Sequence, residues 1–283
     1  MEKASHKKTT KKTETTPVKE TNEAREKSAK KPAEKEPTKN HKKTSPWRVA
    51  LTIVCLILWV GIVFVAAQYA ITYGLYLILG RELLMTPVWM TVCNALIYAL
   101  TLFLTIWIPV KFFKKKPLSR EDIGLRDLPS WADIGLAPAG FIVYLIFASL
   151  LILLFQNFSF FDISETQDLG YGLLTNSVDR IVAYFALCII APIAEEIIFR
   201  GWLYAKLRKA IPGKALSLIL SILIVSVFFG LLHGQWNVGV NVFAMSIVLC
   251  ALREITGTIY SGILLHIIKN SVAFVLVYIL GMS

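Results

Sequence analysis

The amino-acid sequence predicts an all-α membrane protein, a polytopic helix bundle of about 7 or 8 spans that follows a disordered basic N-terminal tail. Of its 283 residues, 55% are hydrophobic and 17% are charged, and the mean hydropathy is +0.60. This balance excludes an ordinary water-soluble domain with a polar surface. Apolar runs of about 20 residues or more, the length that crosses a bilayer, recur after residue 47.

The excess of basic charge belongs to the N-terminal tail. The first 48 residues contain 15 Lys or Arg and 7 Asp or Glu, so they carry +8 of the formal net charge of +11. Residues 1–46 have almost no aliphatic side chains and cannot bury enough apolar surface to offset the entropy of ordering. We therefore expect a disordered, Lys-rich tail. Because most of the excess positive charge lies in this tail, a nucleic-acid partner is not expected.

The next segment, residues 47–176, is predicted to form the N-terminal transmembrane helices. Residues 49–80 are long enough for one tilted span, or for two short spans broken near Gly61 or Gly74. Further spans are expected in the apolar runs at residues 86–110 and 134–161.

Charged connections predict the orientation of these spans. Basic residues are concentrated between 111 and 126, which places that connection in the cytoplasm because Lys and Arg are retained there. The loop that holds Asp162, Glu165 and Asp168 is then outside. We expect a multi-pass protein of the cell membrane that contacts lipid and has its N-terminal tail in the cytoplasm.

Residues 177–283 are predicted to be the catalytic core, because ionisable residues interrupt their apolar runs. A charged group at membrane depth costs at least about 2.5 kcal/mol, so such residues usually face a cavity and have a function. The polar residues that stand out in this segment are Glu195, Glu196, Arg200, His233, His266 and Asn270.

Helical spacing predicts which of these side chains share a face. Glu196 and Arg200 are four residues apart, where an ion pair can offset the cost of burying either charge. Glu195 points roughly 100° away from Glu196 and has no such partner in its own helix. His266 and Asn270 are again four residues apart and converge on one patch.

Together these residues could activate water against a peptide carbonyl. Such a reaction needs a carboxylate or imidazole base and donors for the oxyanion. No serine or cysteine with an adjacent base competes as nucleophile. The four cysteines lie in apolar runs without a CxxC pair, so neither a disulfide framework nor a thiolate metal site is expected.

Three motifs carry a resemblance to a known family. The segment APIAEEIIFRG at residues 191–201 resembles the EExxxR motif of the CPBP family, the CAAX-protease and bacteriocin-processing (Abi) intramembrane proteases. FGLLH at 229–233 is similar to that family's FxxxH motif, and the run ending HIIKN at 266–270 is similar to its HxxxN motif. All three occur in the family's order, which makes the combination specific.

The resemblance implies an intramembrane endopeptidase and a role for each residue. Glu195 would activate the water with help from His233, while His266 and Asn270 would stabilise the oxyanion. Glu196 and Arg200 would support the geometry of the site. The resemblance leaves both a zinc-dependent and a glutamate-dependent mechanism open. No metal cofactor is favoured; if zinc is used, its ligands would be Glu195, His233 and His266.

A second interpretation keeps the fold but not the chemistry. The chain could be a catalytically silent membrane scaffold, or a bacteriocin-immunity factor that binds a peptide or partner. A full set of catalytic residues favours the endopeptidase, whose substrate would be a peptide or a membrane protein. Neither the substrate's identity nor the oligomeric state follows from the sequence.

Overall fold

The computed structural model describes residues 45–112, 116–126, 128–165, 171, 174 and 176–281. The predicted tail therefore lies outside the described residues except for positions 45 and 46. Asp168 of the predicted outer loop also lies outside them.

The described residues form an all-α structure, which confirms the predicted fold class. Seven of its helices are long and apolar enough to cross a membrane, so the chain is a multi-pass membrane protein. The helices are α1 (Pro46–Leu84), α2 (Pro87–Lys111), the short α3 (Arg120–Ile123), α4 (Trp131–Phe155), α5 (Ser177–Ala210), α6 (Lys214–Leu231), α7 (Trp236–Thr256) and α8 (Tyr260–Ile279).

The first apolar run, residues 49–80, forms one helix and not the two short spans that the sequence also allowed. α1 continues through Gly61 and Gly74, the positions at which a division into two spans was expected. Its backbone departs from helical geometry only at Gly80, where φ is 73° and ψ is 171°. Glycine adopts a positive φ without the steric cost that a Cβ brings.

Exposure along α4 shows how the bundle meets lipid. Ile142, Ile146 and Leu150 follow one another at four-residue spacing, and each is 59% exposed. Tyr144 and Ala148 face the opposite way and are buried. An apolar side chain gains nothing from facing water, so this exposed stripe is the lipid-facing side of the helix.

α5 and α7 form the interior of the bundle. Half of the residues in the most apolar stretch of α7 and 44% of those in the most apolar stretch of α5 are buried, the largest fractions among the described spans. α7 packs against α4 and α6, whereas α5 contacts α1, α2, α6 and α8. Gly230 and Gly239 let α6 and α7 approach closely, because a Cβ at Gly230 would lie 2.8 Å from the Gly239 carbonyl oxygen.

Asp133 anchors the beginning of α8 to the beginning of α4. Its carboxylate accepts hydrogen bonds from the backbone N–H and hydroxyl of Ser130 in a capping box. It also accepts the hydroxyl hydrogen bonds of Thr258 at 2.5 Å and Ser261 at 2.8 Å. Asp133 is 1% exposed, and these donors satisfy a carboxylate that would otherwise be costly to bury.

We predict that Asp133→Ala lowers the free energy of unfolding by about 3 kcal/mol, because two buried hydroxyls lose a charged acceptor. Unfolding of the full chain in detergent micelles on addition of a denaturing surfactant measures the change. Asp122→Ala is the matched control, because Asp122 closes the equivalent capping box of α3 but remains partly exposed. Its expected cost is about 1 kcal/mol. Equal losses in the two variants would contradict an anchoring role for Asp133.

Candidate active site

One cavity of about 660 Å³ brings together four residues that the sequence singled out. Glu195 of α5, His233 after α6, and His266 and Asn270 of α8 all line it. Val60 of α1 and Tyr98 of α2 contribute to its wall, so helices from both predicted segments of the chain enclose it. The loop after α4, which the sequence predicts to be outside, reaches the cavity through residues 163–165.

The two adjacent glutamates have different surroundings, as their helical positions predict. Glu195 lines the cavity and its side chain is 17% exposed, whereas the Glu196 side chain is 0% exposed and does not line the cavity. The Tyr98 hydroxyl donates a hydrogen bond of 2.6 Å to Glu195 Oε1. Glu195 Oε2 lies 3.7 Å from His266 Nε2. Glu195 is therefore the glutamate that a substrate or water in the cavity can reach.

Glu196 and Arg200 form a fully buried ion pair one helical turn apart. Arg200 Nη1 donates to Glu196 Oε1 at 2.9 Å, and both side chains are 0% exposed. The same carboxylate oxygen lies 3.1 Å from His266 Nδ1. A Cβ at Gly262 would lie 3.0 Å from Glu196 Oε2, so glycine leaves room for α8 beside this carboxylate. The pair thus holds the imidazole of α8 against α5.

Phe229 separates the buried ion pair from the cavity. The Arg200 guanidinium lies over its ring at 4.4 Å from the centroid, in cation–π geometry. The same ring lies nearly perpendicular to the imidazoles of His233 and His266, with centroid separations of 5.1 and 6.1 Å. Phe229 is 1% exposed. Its ring therefore spaces the two histidines apart while it contacts both of them.

The hydrogen bond of His233 determines which of its ring nitrogens has a lone pair available to accept a proton. Nδ1 lies 2.9 Å from the backbone carbonyl oxygen of Phe229, one turn earlier. A carbonyl oxygen can only accept, so Nδ1 carries the proton and Nε2 of the neutral ring has the lone pair. Because His233 lines the cavity, this tautomer suits a proton acceptor better than an oxyanion donor.

His266 lies between the two carboxylates. Because Glu196 is paired with Arg200 and accepts hydrogen bonds, His266 Nδ1 is the donor in their contact. Nε2 then donates to a further group only when the ring is an imidazolium. The predicted oxyanion role of His266 accordingly depends on that charged form, in which Glu195 also faces Nε2.

Asn270 donates a hydrogen bond to a backbone carbonyl of α5 that lacks its usual helical N–H donors. The helix forms a π-turn at Phe185–Ile190, and the Ala191 N–H bonds to the Ala186 oxygen. Pro192 has no N–H, so the Leu187 oxygen lacks the donors that would normally follow it in the helix. Asn270 Nδ2 donates to that oxygen at 2.8 Å. One hydrogen of its amide is thereby committed, and the other is left for a ligand in the cavity.

The zinc alternative needs Glu195, His233 and His266 to converge on one point. Among the residues that the structure describes, no group of three or more His, Cys, Asp or Glu side chains is arranged to hold a metal ion. The contacts of His266 Nδ1 with Glu196 and of His233 Nδ1 with a backbone carbonyl leave Nε2 of each ring as the nitrogen that could bind a metal ion, and Tyr98 engages one oxygen of Glu195. The zinc-dependent and the glutamate-dependent mechanism both stay predictions.

Two of the polar residues that line the cavity, Tyr98 and Lys269, were not assigned to the site from the sequence. Tyr98 lies in an apolar helix about 100 residues before the motifs, and no spacing rule connects it to Glu195. Lys269 also lines the cavity. The sequence did contain an indication for Lys269, because this residue lies three positions after His266 and so shares that face of α8.

Comparison with known proteins supports the resemblance that the motifs indicate. No curated protein and no solved structure matches the chain. Residues 177–272 match the family model of the type II CAAX prenyl endopeptidase Rce1-like proteins. This region includes Glu195, His233, His266 and Asn270. The resemblance to the CPBP family of CAAX-type proteases is therefore confirmed over residues 177–272.

Proposed function

We propose that this protein is an intramembrane endopeptidase in which Glu195 activates water to hydrolyse a peptide bond. The observation that carries the proposal is the convergence of Glu195, His233, His266 and Asn270 on one cavity among lipid-facing helices. The family match supports a CAAX-type protease. The remaining steps follow from the hydrogen bonds of these side chains.

Glu195 acts as the general base. Its Oε1 is held by Tyr98, which leaves Oε2 to accept a proton from water. His233 Nε2 is a second acceptor that can orient the same water molecule. The resulting hydroxide adds to the carbonyl carbon of the scissile bond and forms a tetrahedral oxyanion. The proton held by Glu195 then passes to the departing amine as the C–N bond breaks.

The oxyanion is stabilised by donors on α8. The free amide hydrogen of Asn270 and the Nε2–H of an imidazolium at His266 are the two donors, since both side chains line the cavity with Glu195 and His266 Nε2 lies 3.7 Å from Glu195 Oε2. Glu196 and Arg200 do not touch the reacting atoms. They hold His266 through the buried contact at Nδ1.

The substrate is a peptide or membrane protein that enters from the bilayer. Apolar side chains form much of the cavity wall, including Val60, Phe64, Leu187 and Phe274, so an apolar segment or a lipidated cysteine would be accommodated. We propose the cell membrane as the location, with the basic tail in the cytoplasm. Seven spans that start inside make α5 run from outside to inside, which leaves Arg208 and Lys209 on the cytoplasmic side in accord with the positive-inside rule.

Cleavage by the purified protein tests the proposal. The full chain in detergent micelles is incubated with a C-terminal CAAX peptide whose cysteine is farnesylated, and with the same peptide without the prenyl group. Mass spectrometry identifies the products. Peptidomics of membranes from cells with the native or Glu195→Gln protein extends the search to other substrates. A protein that binds these peptides but cuts none of them would instead be a silent scaffold or immunity factor.

We predict that Glu195→Gln lowers kcat by at least about a thousandfold while the protein still folds and inserts, because an amide of nearly the same shape cannot accept the proton of water. Cleavage assays and thermal unfolding in detergent measure the two quantities. Glu196→Gln is the matched control one residue away. It should mainly lower stability, because Arg200 loses its buried partner. Near-normal cleavage by Glu195→Gln would refute its assignment as the base.

We predict that Tyr98→Phe lowers kcat about tenfold and leaves KM nearly unchanged, because Glu195 loses the donor that orients it but the cavity keeps its shape. Steady-state kinetics on one peptide separate the two constants. Tyr69→Phe, at an α1 position that is 74% exposed, removes a hydroxyl without touching the cavity and serves as control. A change in KM alone would assign Tyr98 to substrate binding.

We predict that activity survives prolonged chelation, because Glu195 can accept the proton of water without a metal ion. Elemental analysis of the purified protein and assays before and after treatment with a chelator provide the measurement. Stoichiometric zinc in active protein, with activity that follows zinc occupancy on removal and restoration, would overturn this mechanism.

A further inference from the structure

One edge of the Arg200 guanidinium is not used by the ion pair with Glu196. Nη1 donates to Glu196, whereas Nε and Nη2 have no hydrogen-bond partner among the described residues, although the side chain is 0% exposed. In a guanidinium, Nε–H and one N–H of Nη2 point the same way, so one oxygen atom can accept from both. A buried charged donor without an acceptor is costly, so this edge of Arg200 indicates a bound acceptor.

Two serines with unpaired hydroxyls lie beside this guanidinium. Ser226 precedes Phe229 by one turn of α6, and the Phe229 ring lies against the Arg200 guanidinium. The Cys250 thiol of α7 is close enough to interact with both Arg200 and Ser226. Ser246 lies one turn before Cys250 on the same face of α7. Both serines are 0% exposed, and neither Oγ has a hydrogen-bond partner among the described residues.

The close approach of α6 and α7 brings the two serines to the same level of the bundle. A Cβ at Gly230 would lie 2.8 Å from the Gly239 carbonyl oxygen and 3.4 Å from the Phe243 Cβ. A short turn joins the two helices, so they run antiparallel. Four residues back along α6, Ser226 is therefore level with residues 243–247 of α7, a range that includes Ser246. Both serines thus border the buried space beside Arg200.

We infer that Arg200, Ser226 and Ser246 bind an ordered water molecule. The water accepts hydrogen bonds from Nε and Nη2 and donates its own hydrogens to the two serine oxygens. Each serine hydroxyl can then donate to the backbone carbonyl oxygen four residues before it. Buried water characteristically satisfies such a group of polar atoms. The sulfur of Cys250 is too weak an acceptor to replace it.

A chloride ion could accept from the same donors, but the charge balance favours water. Glu196 already offsets the positive charge of Arg200 at 2.9 Å. A second anion beside the pair would leave an uncompensated negative charge at membrane depth, which is costly. Water satisfies the donors and adds no charge.

The water makes Ser226 and Ser246 positioning residues for the active site. While the water holds Nε and Nη2, Arg200 offers only Nη1 to Glu196, and the same Glu196 oxygen also contacts His266 Nδ1 at 3.1 Å. Without the water, the unsatisfied edge of the guanidinium can turn toward Glu196 and compete with His266. This consequence rests on the proposed function, whereas the water site does not.

A structure of the native protein in detergent, at a resolution that shows ordered water, tests the site directly. We expect density about 2.9 Å from both Nε and Nη2 of Arg200. Data collected with bromide in place of chloride distinguish the two ligands. An anomalous peak at this position would identify a halide and overturn the inference, as would the absence of density.

Thermal unfolding in detergent provides a test that needs neither cleavage nor a new structure. We expect Ser226→Ala and Ser246→Ala each to lower the unfolding temperature by about 3 °C, because the water loses an acceptor. In a dry site, removal of an unpaired buried hydroxyl would leave this temperature unchanged or raise it, which would overturn the inference. Ser221→Ala is the matched control, because Ser221 is equally buried and unpaired but lies two turns before Phe229. It should not lower the unfolding temperature.

Steady-state kinetics test the positioning role separately. The Ser226→Ala/Ser246→Ala double variant should lower kcat about tenfold and leave KM nearly unchanged at a temperature where it is folded. Ser226→Thr keeps the hydroxyl and should retain most of the native kcat. A double variant that is less stable but has native kcat would overturn the positioning role. Density and loss of stability without any cleavage by the native protein would support the water site and refute the proposed function.

Discussion

The ion pair between Glu196 and Arg200 lies where the helices of the bundle meet, and neither side chain is exposed. Two charges in such surroundings are tolerated only when their partners are in place, because each unpaired ion would cost several kcal/mol. The neighbours of the pair are arranged accordingly. His266 binds the carboxylate, Phe229 lies under the guanidinium, and Gly262 leaves room for α8. Packing of α5, α6 and α8 is thereby tied to the position of one imidazole.

The same constraint explains why two adjacent glutamates can serve different purposes. Successive residues of a helix point about 100° apart, so a helix that buries Glu196 must turn Glu195 toward another side. In this bundle that side is the cavity, where Tyr98 and His266 contact the carboxylate. The buried glutamate stabilises the packing of the helices, and the cavity glutamate is the residue that we propose as the base. A helix, not a loop, positions this proposed base.

Irregular helix geometry is concentrated beside this site. α5 contains two π-turns, at Phe185–Ile190 and Ile197–Leu203, on either side of the two glutamates. The first, together with Pro192, leaves the Leu187 carbonyl for Asn270. A break in the helical hydrogen-bond pattern is tolerated at membrane depth only where another group forms a hydrogen bond with the freed backbone atoms. Asn270 does so here, so the irregular geometry of α5 and the position of Asn270 on α8 depend on one hydrogen bond.

Sequence alone determined the all-α class, the spans after the tail, and the faces shared by Glu196 with Arg200 and by His266 with Asn270, because these depend on hydropathy and on the period of one helix. It also identified the four cavity residues through their resemblance to known motifs. Tertiary structure decided what depends on contacts between helices: the bond from Tyr98 to Glu195, the ring nitrogen that each histidine presents, and the single helix that breaks at Gly80. Helical periodicity fixes the direction of a side chain around the axis of its own helix, but it does not specify which neighbouring helix that side chain will contact. That pairing is set by the packing of the whole bundle.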